Sequence, residues 1–320
     1  MPAGQQRPNF SDANLKGAFF GAFDDATAPS YLPAITTSID SKKAYEKYAW
    51  LGTAPVMREW KGGRQIHQPN ESEWTIWNEK FENSLGIPVD DVRRDDTGQH
   101  ELLAASLGQR AAENPILILS KLIESGESSP CFDGQYFFSN NHQEGNSGLN
   151  NNKIQVQLSG LPVLMHGSGP TSPSDDEMEK VIQEMIKALY TMKDDQGQPV
   201  NQTAQKFALV YPVNLMNQVL AALNNQTMGG GRQNTLASSK FQIDPYCDAR
   251  LGWSSKLALF RTDHPVKPFI HQVEVDNEIQ SITDGDSEYV IMNDEYFFGV
   301  KRIEAVGYGD YKKAVQATMI

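Results

Sequence analysis

The longest helical pattern of apolar residues lies between Gly98 and Gly126. Its apolar positions are Leu102, Leu103, Leu107, Ala111, Ala112, Ile116, Leu119, Leu122 and Ile123. Asn114 and Pro115 interrupt the pattern, because asparagine caps helices and proline is best tolerated in a first helical turn. The pattern therefore predicts one long, broken helix that ends at Gly126 and serves as a structural spine.

A second helix is predicted to begin after Ser174, because Ser174 and Glu177 have the spacing of a capping box. Its apolar face consists of Met178, Val181, Ile182, Met185, Ile186 and Leu189. Gly197 and Pro199 are expected to end this helix.

Strands and helices alternate after this second helix. KFALVY at 206–211 predicts a buried strand, and Pro212 opens a helix that runs to Leu223, so the region is expected to be a compact α/β layer. The last third of the chain predicts strands in KFQIDPY, SSKLALFRT, FIHQVEV, SEYVIMN and EYFFGVKRIEAV, followed by a short tail. These differences favour a compact inserted lobe at about 160–270, with the flanking segments forming a second lobe.

Residues 50–82 contain four of the five tryptophans in the chain. Gly62 and Gly63 lie between VMREW and RQIH and supply the positive φ angles of a tight hairpin turn. EWTIWNEKFE, at 73–82, predicts a strand with aromatic side chains on both faces. Such a hairpin either packs between other elements or subunits, or is an ordinary core hairpin; both remain open from the pattern alone.

Two polar regions are predicted to lack regular structure. Residues 1–48 contain four prolines and one short amphipathic piece from Ala13 to Phe23, which favours an arm that needs a partner surface; a frayed terminus is the alternative. Residues 130–152 combine an aromatic cluster with an Asn/Gly-rich loop, and this loop is expected to be mobile and on the surface.

Composition narrows the classes of function. The 320 residues are 39% hydrophobic, which is enough for a core, and carry a net charge of −12, which argues against a high-affinity nucleic-acid coat. No apolar run approaches the ~20 residues of a membrane helix, and no signal peptide is recognisable. The two cysteines are isolated. These features predict a soluble cytosolic product.

No catalytic, cofactor or metal site is predicted. None of the six histidines has a cysteine, carboxylate or second histidine at metal-ligand spacing, and Cys131 has no nearby basic residue that would activate it. Gly229–Gly231 lacks the lysine of a phosphate-binding loop. A hydrolase with a metal held by His142, His166 or His264 stays open as a minor alternative, which stoichiometric metal would support.

Six segments, in order along the chain, resemble the major head (capsid) subunits of Mu-like tailed bacteriophages. They are WLGTAPVMREWKGGR at 50–64, FDGQYFFSNNH at 132–142, KALYTMKDDQGQPV at 187–200, FALVYPVNL at 207–215, LFRTDHPVKPFIHQ at 259–272 and EYFFGVKRIEAVGYG at 295–309. Each segment alone is a weak signal, but six in register from about residue 14 to residue 320 are specific.

The resemblance implies an α+β fold, the tailed-phage and herpesvirus major capsid (Johnson) fold. Its parts would be an N-terminal arm at 1–48, an extended hairpin loop at 49–84, a peripheral domain with the spine helix at 85–159, an axial domain at 160–270, and C-terminal strands at 271–320 that return to the peripheral domain.

The resemblance also implies that the hairpin and the arm contact neighbouring subunits. The expected hairpin contacts are Arg58, Glu59, Trp60, Lys61, Arg64, Trp74 and Trp77. The expected arm contacts are Phe19, Phe20 and Phe23. Tryptophan and arginine are favoured anchors in such interfaces.

The implied function is structural. The chain would self-assemble into pentamers and hexamers that close into an icosahedral head, enclosing double-stranded DNA without sequence-specific binding. It would have no enzymatic activity and no cofactor. A separate scaffold and protease, a portal protein and a decoration protein are the candidate partners, and the location is the virion, with assembly in the host cytoplasm and no membrane contact. A shell subunit of a non-viral bacterial nanocompartment is the alternative.

Overall fold

The computed structural model of the chain describes residues 11–27, 30–49, 73–94 and 98–320. Its helices are α1 (Asp12–Thr27), α2 (Leu32–Ile35), α3 (Val89–Arg94), α4 (Gln99–Ser125), α5 (Asp175–Tyr190), α6 (Met216–Asn224) and α7 (Glu288–Asn293). Its strands are β1 (Thr36–Asp40), β2 (Tyr45–Ala49), β3 (Glu73–Trp77), β4 (Glu79–Pro88), β5 (Lys153–Val156), β6 (Lys206–Tyr211), β7 (Gln242–Cys247), β8 (Lys256–Arg261), β9 (Phe269–Ile282), β10 (Glu295–Tyr308) and β11 (Ala314–Met319).

Three sheets organise these strands. A four-stranded sheet has the order β1-β9-β10-β4, in which β10 runs antiparallel to both neighbours. A five-stranded sheet has the order β5-β11-β8-β6-β7, with parallel pairs at its two edges. The short strands β2 and β3 form an antiparallel pair. The fold is therefore mixed α and β, as the sequence predicts.

Helix α4 is the predicted spine, and it is continuous through Pro115 rather than restarted there. It packs through Leu107, Leu119 and Ile123, whereas Leu102 and Leu103 are exposed, contrary to the predicted stripe. The reason is that α1 covers the face of α4 that carries Leu107. No helix in the described ranges is both long and apolar enough to cross a membrane.

Helix α1 lies against α4 at very short range. Leu15 and Phe19 are buried between α1, α4 and the four-stranded sheet. Gly108 of α4 permits this approach, because a Cβ atom there would lie 2.1 Å from the backbone oxygen of Phe19. The glycine therefore sets how closely the N-terminal helix packs on the spine.

Helix α5 confirms the predicted capping box and apolar face. The Ser174 side chain accepts a hydrogen bond from the Glu177 amide, and the Glu177 carboxylate accepts one from the Ser174 amide. All six predicted apolar positions are buried. The helix ends earlier than expected, at Tyr190, and Gly197 instead occupies a turn with φ 81°.

The five-stranded sheet is buried on both faces. In β6, Phe207 and Leu209 face the core formed with α5 and α6. Ala208 and Val210 face the opposite core, which includes Leu119 of the spine. A strand covered on both sides is apolar throughout, which explains why KFALVY shows no polar alternation.

Two C-terminal elements differ from the sequence-based prediction. SEYVIMN contains helix α7, not a strand, because the Ser287 hydroxyl accepts a hydrogen bond from the Val290 amide and caps the turn. The expected short tail is strand β11, which lies between β5 and β8. Val315 and Met319 of β11 pack in the core that contains α5. The return of the strands from 271 onward to the peripheral domain stays a prediction.

The segment 130–152 is irregular: its Asn/Gly-rich loop lies largely at the surface, as predicted, but includes the buried side chains of His142, Asn150 and Asn152. Phe137 and Phe138 are buried in the core beside the spine. The buried Asn152 side chain accepts from the Ser139 amide at 2.8 Å and donates to the Phe137 carbonyl at 2.7 Å. Side-chain amides thus satisfy backbone groups that no strand pairs, and this allows an irregular segment to be buried.

Candidate functional site

The base of the predicted hairpin presents an exposed aromatic pair. Strands β2 and β3 pair Tyr45 with Trp77, whose ring centroids are 4.6 Å apart, and Trp77 is 62% exposed. Trp74 and Ile76 pack on the inner face, as the predicted alternation requires. Strand β3 ends before Asn78, whose side chain donates a hydrogen bond to the Lys43 carbonyl at 2.8 Å. After Asn78 the chain continues as a separate strand, β4.

The other five predicted hairpin contacts are Arg58, Glu59, Trp60, Lys61 and Arg64. They belong to residues 50–72, which lie outside the described residues. The antiparallel pairing of β2 with β3 defines the base from which this segment departs. Their contact with a neighbouring subunit stays a prediction.

The three predicted arm contacts have different environments. Phe19 is fully buried within the chain, because α1 packs on the spine, so this helix finds a partner surface within its own subunit. Contact of the arm with a neighbouring subunit stays a prediction. Phe23 is half-buried, with the Arg302 guanidinium 5.4 Å from its ring centroid. Phe20 is 42% exposed and is the arm phenylalanine with most free surface in the described part of the arm.

An apolar row on the five-stranded side of the molecule was missed by the sequence analysis. Val213, Met216 and Leu220 are all exposed, and their spacing places them on one side of α6 and the turn before it. Val219 and Ala222 of the same helix face the core. The helix is therefore apolar on two sides, and this is the signal in the sequence that could have revealed the row.

A buried ionic cluster joins the spine to the four-stranded sheet. Glu304 of β10 is fully buried and accepts hydrogen bonds from Asn114 of α4 at 2.8 Å and from Arg302 at 2.9 Å and 3.1 Å. His271 Nε2 of β9 lies 3.0 Å from the same carboxylate. Burial opposes ionisation of Glu304, but His271 and Arg302 outweigh it and hold the pKa of the carboxyl below its usual value.

Segment 130–152 brings Cys131, Asp133 and His142 together, although their spacing suggested no site. The Cys131 thiol lies 3.1 Å from Asp133 Oδ1, and His142 Nδ1 lies 2.6 Å from Asp133 Oδ2. His142 is fully buried and its ring stacks on Tyr311 at 3.7 Å between centroids. Burial and the Asp133 carboxylate raise the pKa of Cys131, so this thiol is a poor nucleophile.

The remaining candidate histidines lie in separate environments. His166 Nδ1 is 2.7 Å from Glu177, and His264 contacts the backbone of Val266. In the described ranges, the one group of potential metal ligands contains His142 but neither of these two histidines. Of the three histidines named in the metal-hydrolase alternative, His142 alone therefore lies among potential metal ligands in the described ranges.

Two neighbouring lysines are buried where the sheets meet. Lys312 pairs with Glu144 at 2.9 Å, whereas the Lys313 amine lies 3.8 Å from Asp310 and makes no hydrogen bond in the described structure. Burial, together with the charges of Arg261 and Lys312, lowers the pKa of Lys313 from 10.5 to about 8 despite the opposing effect of Asp310. Burial disfavours the charged form of an amine when few negative charges lie near it.

This lysine predicts a measurable pH dependence of stability. Between pH 8 and 10.5, Lys313 is protonated in the unfolded chain and deprotonated in the folded chain. The contribution of Lys313 to the free energy of unfolding therefore rises with pH in this window, and it is lost again as the pH falls towards 8. We expect urea midpoints to rise from about pH 7.5 to about 9.5, and Lys313→Met to flatten the rise. Lys187→Met, at an exposed lysine, is the control. Equal slopes in all three proteins would contradict the assignment.

Comparison with known proteins places these features in context. A family model described as the Mu-like prophage major head subunit gpT matches residues 12–162 and 250–319. The major capsid protein of Escherichia phage Mu is 35% identical over 155 residues, which cover 46% of this chain and 50% of that protein. The Mu-like prophage FluMu major head subunit of Haemophilus influenzae is 34% identical over 120 residues, covering 38% and 39%. The chain thus spans half or less of the curated relatives it matches.

A solved structure extends the likeness to nearly the whole chain. The procapsid of bacteriophage JBD30 contains a chain with a TM-score of 0.52 and 22% sequence identity, covering 97% of this chain and 76% of that one. At this identity, the likeness is one of fold.

Proposed function

Because the chain belongs to the family of Mu-like prophage major head subunits, we propose that it is a major capsid protein whose copies form the pentamers and hexamers of an icosahedral phage head around double-stranded DNA. The observation that carries the proposal is the family match, which includes the helix α1, the spine and the C-terminal strands. The chain has the tailed-phage major capsid fold, which confirms the fold expected from the sequence.

The region without a family match, residues 163–249, holds α5, β6, α6 and β7. The inclusion of this region in the capsid fold is supported by the structural comparison, because the fold likeness to the JBD30 procapsid covers 97% of the chain. This region also carries the exposed row Val213, Met216 and Leu220. We assign this face to contacts around the axis of a pentamer or hexamer, where identical copies repeat the same heterologous contact.

The surface of a single chain fits a subunit that is covered on assembly. Trp77, 62% exposed, lies beside the exposed Tyr45, and Met292, 78% exposed, follows the exposed Ile291. Large exposed apolar side chains in clusters are typical of interaction surfaces. The net charge of −12 means that copies repel, so that burial of such surfaces must drive assembly, and it also prevents tight binding of the enclosed DNA.

The role is structural, as the family is one of capsid proteins. Contacts of the hairpin and of Phe20 with neighbouring copies belong to this proposal. So do a separate scaffold and protease, a portal protein and a decoration protein as partners, and a location in the virion after assembly in the host cytoplasm.

Light scattering and negative-stain electron microscopy test the proposal, on the chain expressed alone and with the neighbouring genes of its locus. Closed shells or rings of five and six subunits are the expected products in at least the co-expressed sample. A 35.6 kDa monomer in both samples would refute it. Shells that enclose an enzyme encoded beside the gene, with no portal or terminase gene nearby, would instead support the nanocompartment alternative.

Trp77→Ala should weaken assembly without weakening the fold. Truncating an interface anchor costs about 2 kcal/mol or more, which raises the critical concentration for shells roughly 30-fold. The monomer should stay within about 0.5 kcal/mol of the original stability, because Trp77 is 62% exposed. Lys80→Ala, also at an exposed residue, is the control. If Trp77→Ala assembled as well as the wild type, the base of the hairpin would not belong to the interface.

A further inference from the structure

We propose that Cys131, Asp133 and His142 form a binding site for Zn²⁺. One sulfur, one carboxylate and one imidazole nitrogen lie within 4.8 Å of one another, in a buried position. Thiolate and imidazole together select zinc over the oxygen-preferring ions magnesium and calcium. The site is independent of shell assembly, since all three ligands belong to one segment of one chain.

The orientation of His142 favours metal binding through Nδ1. Its Nε2 atom points at the Phe137 carbonyl oxygen at 3.3 Å, a contact that requires a proton on Nε2. A metal-bound histidine usually donates its second ring N–H to a carbonyl or carboxylate in this way. Nδ1 points at the Asp133 carboxylate at 2.6 Å. Both ring nitrogens therefore face oxygen acceptors, so either a proton or a metal ion must lie between Nδ1 and the Asp133 carboxylate.

Exchange of zinc for protons leaves the charge of the cluster unchanged. Without metal, the thiol keeps its proton and one further proton is shared between His142 Nδ1 and Asp133 Oδ2, which lie 2.6 Å apart. Zinc binding releases the thiol proton and this shared proton, so that Zn²⁺, a thiolate, a carboxylate and a neutral imidazole again sum to zero. Because the cluster is buried, this neutrality avoids the large cost of an unbalanced charge.

The surrounding charges do not oppose the ion. Lys312 lies over the Tyr311 ring that stacks on His142, but the Glu144 carboxylate pairs with its amine at 2.9 Å. The positive charge of Lys312 is thus locally compensated.

The required movement is small. In a tetrahedral zinc site, ligand atoms are separated by about 3.3 Å for nitrogen and oxygen and about 3.5 Å for sulfur and oxygen. The observed separations are 2.6 Å from His142 Nδ1 to Asp133 Oδ2 and 3.1 Å from Cys131 Sγ to Asp133 Oδ1, and one ligand atom from each of the three residues lies within 4.8 Å of the other two. Gly134, Gln135 and Tyr136 form an exposed turn beside Asp133, through which the ion and a water molecule as fourth ligand could enter.

Cobalt substitution tests the site on the untagged full-length chain. After removal of metal with a chelator, addition of Co²⁺ should produce sulfur-to-cobalt charge-transfer absorption at one equivalent, and Zn²⁺ should abolish it. Cys131→Ser should lose this absorption. Cys247→Ser should keep it, as the matched control at the other free cysteine. Zn²⁺ should also raise the melting temperature of the wild-type chain but not that of Cys131→Ser.

A wild-type chain without this absorption would overturn the proposal, and so would its persistence in Cys131→Ser. If Cys131→Ser does not fold, alkylation of the wild-type chain mapped by mass spectrometry decides. Zn²⁺ should then slow modification of Cys131 at least tenfold and leave Cys247 unaffected. Equal protection of both cysteines, or of neither, would refute the site.

Discussion

Glu304→Ala is expected to lower the free energy of unfolding by about 3–5 kcal/mol, because it leaves Arg302 buried without its main counter-charge. Asn114 of the spine also loses its partner. Urea denaturation of the unassembled chain measures the change. Glu278→Ala breaks an exposed ion pair with Lys301 and should leave stability nearly unchanged.

Glu304→Gln separates charge from hydrogen bonding. The amide oxygen still accepts from Asn114, but the charge that balances Arg302 is lost, so the variant should lie between the wild type and Glu304→Ala. Because the pKa of Glu304 is lowered in the folded chain, its contribution is present above the usual value of 4.5 and is lost as pH falls below it. Identical stability of wild type and Glu304→Ala at pH 7 would show that the cluster is not stabilising.

Gly108→Ala is expected to destabilise the chain by about 3 kcal/mol, the upper end of the usual cost of overpacking. The new Cβ would lie 2.1 Å from the Phe19 backbone oxygen, and a backbone atom in a packed helix cannot simply rotate away. The two helices must separate, which exposes Leu15 and Phe19 to water.

Gly17→Ala on the facing helix is the matched control for this prediction. A Cβ atom there meets nothing within 4 Å, so alanine should stabilise α1 by up to about 1 kcal/mol through its higher helix propensity. Opposite signs for the two glycines, measured by urea denaturation and by protease sensitivity of residues 12–27, would confirm the packing. A neutral Gly108→Ala would contradict it.

Elements with a strong local pattern could be predicted from the sequence. The capping box and six apolar positions of α5 are reproduced, as is the spine between Gly98 and Gly126. In these segments, the local preference and the tertiary packing favour the same structure. The mixed fold class and the family follow from the order of the segments rather than from any one of them.

Elements that depend on distant partners could not be predicted. The sequence predicts a tail where β11 lies, because the pairing of β11 with β5 and β8 leaves no local signal in six residues. The Asn/Gly-rich part of 130–152 predicts a loop because asparagine and glycine are typical of loops, and nothing in its pattern reveals that the Asn152 amide satisfies buried backbone groups.

Much of the candidate site was also hidden for this reason. Cys131 and Asp133 meet His142 only because the irregular chain folds back on itself. Arg302 and Glu304 have the two-residue spacing of a strand face, and charges on a strand usually indicate the solvent side. Their burial follows from Asn114 on the spine and His271 on β9, which no local pattern reveals.

Strand β11 lies between β5 and β8 but is synthesised after both of them, so the five-stranded sheet can be completed only when residues 314–319 have been made. Among the described strands, β5 pairs only with β11, so β5 leaves the ribosome long before its partner exists. A nascent chain that stops before residue 314 presents the unpaired edges of both β5 and β8. Such edges recruit foreign strands and lead to aggregation. Chains that terminate before β11 are therefore expected to aggregate instead of completing the five-stranded sheet.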